Sequence, residues 1–393
     1  MPSKRPVRIL YSYGLRLGAE RICYTAWQQV NSLAAGGADV TLFAGSLERP
    51  LPDNVKVKTT LSRGKLRLPY KALGTIRTLA LHDYIVSRRV RKLKGKVDII
   101  HVWPSAALET LKAAAEVGIP TVLERPNAHT RFAYTVVQEE CERLGMEMPP
   151  GHEHAFKPKV LEHEEKEFEL ADRLLCPSDF VRETFLDAGF PAGKLKRHQY
   201  GFDERRFSAA GRTPNPDKGL SMLFVGGCAP RKGVHYALRA WLKSAACTNG
   251  SFLIAGEFVT GYAEILGEML SHPSVKVLGH RRDVPELMRQ SDVLVLPSIE
   301  EGSALVTSEA RGCGCVLLVS DAAGAICEHN ENALVHHVGD VDSLTKHINM
   351  LNEDRSLLSR LQASSLATVD SITWQAAGRR LLEAYEQTIN ESR

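Results

Sequence analysis

Short apolar runs alternate with longer amphipathic stretches along most of the chain. Val7–Tyr11 reads as a buried strand, followed by a glycine-containing loop from Gly14 to Gly18, a helix over about 19–35 and a second strand at Val40–Ala44. Val97–Val102 and Thr121–Leu123 read as further strands. The same grammar restarts after residue 215, with a strand at Ser221–Val225, a glycine loop, a helix over about 234–246, and strands at Ser251–Ala255, Val275–Leu278, Val293–Leu296 and Cys315–Val319. Apolar runs this short, set between helices, indicate parallel strands covered on both faces. Between the halves, Arg212-Thr213-Pro214-Asn215-Pro216-Asp217 reads as a linker. The expected architecture is α/β: two Rossmann-like, doubly wound domains facing across a cleft, the first over 1–205 and the second over 217–373. In such sheets ligands lie at the carboxyl ends of the strands, so the cleft is the expected site.

Composition narrows the class without changing this picture. The 393 residues are 44% hydrophobic and 24% charged, enough for two cores without disulfide or metal staples. A net charge of +4 is too small to argue for nucleic-acid binding. The charge is uneven: thirteen Lys or Arg and one acid, Asp83, lie between Lys56 and Lys96. Within that stretch, residues 73, 76, 79 and 80 put apolar side chains on one helical face. A basic amphipathic helix of this kind fits an anionic membrane surface, and equally a core-facing helix with a solvated basic side. Eight cysteines without C-x-x-C spacing read as reduced, buried thiols. Neither a signal peptide nor a run of eighteen apolar residues is found, so a cytoplasmic protein is expected, at most peripheral on a membrane.

Two segments carry candidate chemistry. Strand 293–296 leads through Glu300-Glu301-Gly302-Ser303-Ala304 into a helix that contains Glu309, with seven residues between Glu301 and Glu309. Backbone amides at a helix start bind phosphate, and a carboxylate further along accepts ribose hydroxyls. The spacing alone fits a solvated helix face as well. The second segment, Val225-Gly226-Gly227-Cys228-Ala229-Pro230-Arg231-Lys232-Gly233, sits between a strand and a helix, where Arg231 and Lys232 can reach a diphosphate. Neither a P-loop nor a G-x-G-x-x-G fingerprint is present, which argues against a P-loop NTPase and an NAD enzyme. His152, His154 and His163 lie in an acid-rich stretch without a partner cysteine and read as solvated; no metal ligand set is evident.

In order along the chain, Pro297-Ser298, Glu301-Gly302, Glu309-Ala310, Cys313-Gly314, Ser320-Asp321, Gly324, Glu328, Asn332 and Gly339-Asp340 resemble the retaining glycosyltransferases of GT-B fold with the E-x7-E motif, the glycosyl transferases group 1. Gly279, Leu287 and Ser291-Asp292, the run Ala171-Asp172-Arg173 to Pro177-Ser178-Asp179-Phe180-Val181, and Gly201-Phe202-Asp203 extend the likeness over most of 170–345. Two departures stand out: Gly227 occupies the place of the family's arginine, with Arg231 as its replacement, and Ser303-Ala304 replaces Phe-Gly.

The resemblance implies transfer of a sugar from a nucleoside-diphosphate sugar to a hydroxyl, with retention, in polysaccharide or glycolipid synthesis. The acceptor is then a sugar or a lipid-linked glycan, no metal or other cofactor is needed, and the final helix, over 374–393, returns to the first domain. It makes His129, Glu301, Arg231 and Lys232 the catalytic candidates. It makes Gly14, Gly18, Gly227, Arg231, Lys232, Gly302, Ser303, Ala304, Leu305 and Glu309 donor-binding, with His101 and Arg125 on the acceptor side. On its own residues His129 reads equally as a loop histidine with a structural role. A sugar-nucleotide epimerase and a non-catalytic GT-B partner subunit are the alternatives.

Overall fold

The structure is a computed structural model that describes residues 5–63, 66–67, 74–152, 154–212 and 219–392. In chain order it runs through β1 (Arg8–Leu17), α1 (Ile22–Ala35), β2 (Asp39–Leu47), β3 (Lys56–Thr59), β4 (Ser62–Arg63), β5 (Leu66–Arg67), α2 (Thr75–Val90), β6 (Ile99–Val102), α3 (Leu108–Val117) and β7 (Thr121–Glu124). Then follow α4 (Thr130–Arg143), α5 (Pro158–Leu170), β8 (Arg173–Cys176), α6 (Asp179–Asp187), β9 (Leu195–Arg197), β10 (Ser221–Val225), α7 (Val234–Lys243), β11 (Ser251–Ala255), α8 (Tyr262–Leu266) and β12 (Val275–Gly279). The chain ends with α9 (Val284–Gln290), β13 (Val293–Leu296), α10 (Leu305–Gly312), β14 (Val316–Ser320), β15 (Ala333–His336), α11 (Val341–Glu353), α12 (Arg355–Ala367) and α13 (Trp374–Glu391). Apart from Arg212, the linker expected at 212–217 lies outside the described residues, as do Tyr70–Leu73 of the basic stretch.

The chain divides into two compact units. Unit 1 comprises Met1–Pro126, Lys157–Tyr200 and Trp374–Arg393; unit 2 comprises Asn127–Phe156 and Gly201–Thr373. The sheet of unit 1 is ordered β3-β2-β1-β6-β7-β8-β9 and that of unit 2 β12-β11-β10-β13-β14-β15. Strand neighbours within each are parallel. In both units strand order reverses beside the first strand, which leaves a crevice at the strands' carboxyl ends. The all-apolar Val-Leu-Val-Leu of β13 is buried along its length, as a strand covered by helices on both faces requires.

Three local features depart from the sequence reading. First, β1 does not end at Tyr11. Its apolar alternation continues through Tyr13 to the fully buried Leu17, and β2 pairs with it that far, with an irregularity between Tyr13 and Arg16. Gly14 is therefore a strand residue, not part of a loop. A Cβ there would lie 2.7 Å from Leu79 Cδ2 and 3.1 Å from Ala106, so its face is already packed. Second, residues 127–156 pack with unit 2, not with the rest of 1–205. The cause is α4, whose Val137 and Cys141 form a small apolar cluster with Tyr236 and Ile299. Its buried Glu140 accepts hydrogen bonds from Tyr236 Oη (2.7 Å) and pairs with His235 Nε2 (2.7 Å). Third, α2 buries Thr78, Leu79, His82, Asp83, Val86, Ser87 and Val90, while Ile76 stays exposed. Its inward polar groups are occupied: His82 meets Ser12 and Thr60, and Asp83 accepts the backbone N–H groups of Glu109 and Thr110 at the start of α3.

Helix α13 packs on α1 in unit 1. Leu381, Ala384 and Tyr385 join the core formed by β1, β2 and α1. Gly378 lets the helices approach, since a Cβ there would lie 2.5 Å from Ser32 Cβ.

Candidate active site

In unit 2 the strand order reverses between β10 and β13, and the chain leaves both strands through tight turns. Gly233 makes their meeting possible. It adopts φ +69°, and a Cβ would fall 2.0 Å from the carbonyl oxygen of Pro297; only glycine fits both the conformation and the approach. The turns are then cross-tied. Ile299 N–H donates to the Arg231 carbonyl (2.9 Å), and Arg231 Nη1 donates to the Glu300 carbonyl (2.8 Å). Lys232 Nζ is in direct ion-pair contact with Glu301 Oε1, to which Arg231 Nη1 also lies 3.0 Å away.

A pocket of about 360 Å³ opens beside these turns, lined by Gly227 and Lys232 from the first, Glu301, Ser303, Ala304 and Leu305 from the second, and Glu309 on α10. Helix α10 begins at the pocket wall, and its N-cap residue, Ala304, contributes no side-chain cap to its first amides. Such a start favours an anionic ligand. Gly227 has open space where a side chain would stand, so the missing arginine leaves room in the pocket.

The electrostatics are set by burial. Burial alone would raise the Glu301 carboxyl, but the charges of Arg231 and Lys232 outweigh it and hold it below its ordinary range. Burial lowers Lys232, with Arg231 acting in the same direction and Glu301 against it. Glu309 has no such partner at hydrogen-bond distance among the described residues. Burial pushes it up to about 7, offset in part by Arg206, with Asp203 adding to the rise. The pocket thus holds one carboxylate committed to two cations and a second poised near neutrality, a contrast typical of functional sites.

Of the residues expected from sequence, Gly227, Lys232, Glu301, Ser303, Ala304, Leu305 and Glu309 line this pocket. Arg231, 9% exposed, lies behind Lys232. Gly302 sits in the same turn, its carbonyl packed under Gly324. His129 is buried at the start of α4, in unit 2. The other expected residues belong to unit 1. Gly18 turns the chain after β1 with φ +84°, beneath Arg49.

His101 and Arg125, expected on the acceptor side, are instead core residues. His101 is fully buried, stacked on Tyr11, with Nδ1 2.5 Å from Tyr385 Oη. It borders a polar hub around Glu124, which accepts from Gln29 Nε2 (2.8 Å) and Tyr200 Oη (3.0 Å) and pairs with His198 Nε2 (2.8 Å). Arg125 is 2% exposed, lies 4.2 Å over the Phe168 ring and pairs with Glu164 at 3.4 Å. The three histidines weighed as ligands fall in both units: His163 pairs with Glu167 in unit 1, while His152 and His154 lie in unit 2.

Arg206 and Phe207 line the pocket too, and sequence reasoning passed over them. The Arg206 guanidinium lies 5.1 Å over the Phe207 ring. They stand just beyond the Gly201-Phe202-Asp203 segment, and a cation followed by an aromatic at that place was the available signal.

Comparison with known proteins bears on the family and the fold. A model of the glycosyl transferases group 1 matches residues 219–354, and one of glycosyltransferase family 4 matches 22–206, so between them they cover most of the chain. A curated relative, the N,N'-diacetylbacillosaminyl-diphospho-undecaprenol alpha-1,3-N-acetylgalactosaminyltransferase of Campylobacter jejuni, is 30% identical over 182 residues, 44% of this chain and 46% of its own length. The chain therefore spans under half of that relative. The D-inositol 3-phosphate glycosyltransferase of Paenarthrobacter aurescens is 25% identical over 391 residues, 91% of each chain. Among solved structures, Anabaena HepE in complex with UDP superposes with a TM-score of 0.66 at 17% identity, covering 97% of this chain and 100% of its own. With a glycosyltransferase family model matched in each half and two parallel Rossmann-like sheets, the chain has the GT-B fold of these glycosyltransferases.

Proposed function

We propose that this protein is a retaining glycosyltransferase that moves a sugar from a nucleoside-diphosphate sugar to a hydroxyl of a glycan or lipid-linked acceptor. One observation carries the reading: the turn bearing Lys232 and the turn bearing Glu301 close on one pocket that also holds Glu309. The start of α10, Lys232 and Arg231 stabilise the departing diphosphate, where negative charge develops as the glycosidic bond breaks. Glu309 accepts the ribose hydroxyls. Glu301, kept ionised by its two cations, accepts donor-sugar hydroxyls, and His129 orients the reacting sugar. Retention rests on the resemblance of Glu301 and Glu309 to the E-x7-E pair. The named activities of the relatives support the substrate class, since one acts on a diphospho-undecaprenol acceptor and another on D-inositol 3-phosphate. HepE, the solved relative in fold, holds UDP.

The test is a screen of UDP-, GDP- and ADP-sugars with glycan and polyprenyl-linked acceptors. Acceptor-dependent release of nucleoside diphosphate is expected, undiminished by chelator because side chains and backbone amides supply the charge. An α-linked donor should give an α-linked product by NMR. Release of an altered sugar nucleotide, or binding of every donor without turnover, would overturn the reading.

We further propose that α2 rests on an anionic membrane surface at the cytoplasmic face. Its outward side carries Ile76, Leu81 and Tyr84, which are 67%, 39% and 55% exposed, among the exposed Arg77 and Arg88. Exposed apolar side chains interspersed with arginines suit a headgroup interface better than open water. Among the described residues no helix is long and apolar enough to cross a membrane. Co-sedimentation with phosphatidylglycerol vesicles should be salt-sensitive and weakened in Ile76→Asp/Tyr84→Asp. Equal recovery with neutral vesicles would remove the proposal.

A further inference from the structure

Helix α4 begins at His129 and belongs to unit 2, so something must hold its first residues against the cationic turn. Glu300 lies between them. It is fully buried, next to Glu301, which lines the pocket. The backbone N–H of Ala128 donates to its Oε1 at 3.2 Å. Its Oε2 lies 3.4 Å from Arg231 Nη1, the same nitrogen that donates to the Glu300 carbonyl and approaches Glu301. One side chain therefore touches the residue before His129 and the guanidinium that pairs with Glu301.

We propose that Glu300 is a positioning residue: its buried carboxylate fixes the turn that bears His129 to Arg231, so that α4 works as part of the donor-binding unit. The inference rests on the glycosyltransferase reading for its catalytic consequence, not for its structural one. A buried carboxylate is retained only where its partners need it, because desolvating it is costly. Here the partners are the backbone amide of Ala128 and an arginine already shared with Glu301. A second anchor of α4, the pairing of Glu140 with His235 and Tyr236, grips the far end of the helix, while Glu300 acts at its start.

The test separates the two consequences. In Glu300→Ala, amide hydrogen exchange over 127–131 should quicken about tenfold or more while the β10–β15 sheet stays protected. In transfer, kcat should fall about 30-fold with the dissociation constant for nucleoside diphosphate within about threefold, because Lys232 and Glu309 are untouched and Arg231 keeps the backbone carbonyl at 300 and Glu301 as partners. Glu300→Gln keeps an acceptor for Ala128 N–H and should restore most of the loss. His129→Ala combined with Glu300→Ala should be no slower than His129→Ala alone, as for a residue that acts through its partner. Glu300→Met, of similar volume, stands in where the alanine variant fails to fold. Unchanged exchange at 127–131, or losses that multiply in the double variant, would overturn the proposal. A wild-type protein that turns over no sugar nucleotide would instead count against the function, and the exchange result would still decide whether Glu300 holds the turn.

Discussion

Replacing Lys232 by alanine should lower sugar transfer by about 10²- to 10³-fold, the loss expected when one preorganised charge of roughly 2.7–4 kcal/mol is taken from a leaving group. The protein should survive the change. Glu301, the partner left behind, keeps Arg231 at 3.0 Å, so no buried carboxylate is stranded. The site of action can be read from binding. A lysine that meets the diphosphate contributes to the affinity for nucleoside diphosphate and not to that for the bare nucleoside. Calorimetric titration with both, against wild type and Lys232→Ala, therefore discriminates a phosphate contact from general loosening of the pocket. Transfer within about threefold of wild type would remove Lys232 from the chemistry.

Glu309 should make the protein less stable as pH rises toward neutrality and better at binding its donor as pH rises through it. Its carboxyl ordinarily titrates at 4.5 and is pushed up to about 7 by burial in the folded chain, with Arg206 and Asp203 the charged groups that act on it. Between those values the folded state binds more protons than the unfolded one. Stability therefore falls as pH climbs through that window and is level above it. Glu309→Gln removes the titration. Its melting temperature should exceed that of wild type at pH 8 by several degrees, on the order of 2 kcal/mol after allowing for the pocket's access to water, and the two should coincide near pH 4. Donor binding has the opposite dependence. Ribose hydroxyls donate hydrogen bonds, which the ionised carboxylate accepts best. Wild-type affinity should thus rise through pH 7, while Glu309→Gln stays flat and Glu309→Ala loses about 10²-fold at pH 8. A pH-independent difference in melting temperature would refute the assignment of this titration to Glu309.

How much of this was legible depends on how far apart in the chain the deciding residues lie. Strands 221–225, 251–255 and 293–296 were read at their observed bounds, because an apolar run closed by a glycine or a Pro-Ser pair is a local signal. The pocket's two turns were legible for the same reason, each being contained within a dozen or so residues. Arg206 escaped notice because its place beside Glu309 comes from the chain's path after β9, which no local pattern encodes. His101 and Arg125 looked available because each follows apolar strand residues. Their burial is decided by Tyr385 and Glu164, on helices far away in sequence. The allegiance of 127–156 to unit 2 likewise turns on Glu140 meeting His235, a pairing across 95 positions. In β1 the period decides: Tyr11, Tyr13 and Leu17 continue one alternation across Gly14, although a glycine after an apolar run is the local signal of a loop.

The place of α13 has a consequence for biosynthesis. The first segment of unit 1 is translated ahead of unit 2, yet its innermost layer lacks Leu381, Ala384 and Tyr385 until all of unit 2 has been made. Unit 2 contains nothing beyond Thr373 and can close sooner. The half begun first is thus completed last. A stop codon just before Trp374 would leave that half with an uncovered apolar seam along α1, and such a product should be recovered with chaperones or in inclusion bodies although unit 2 is whole.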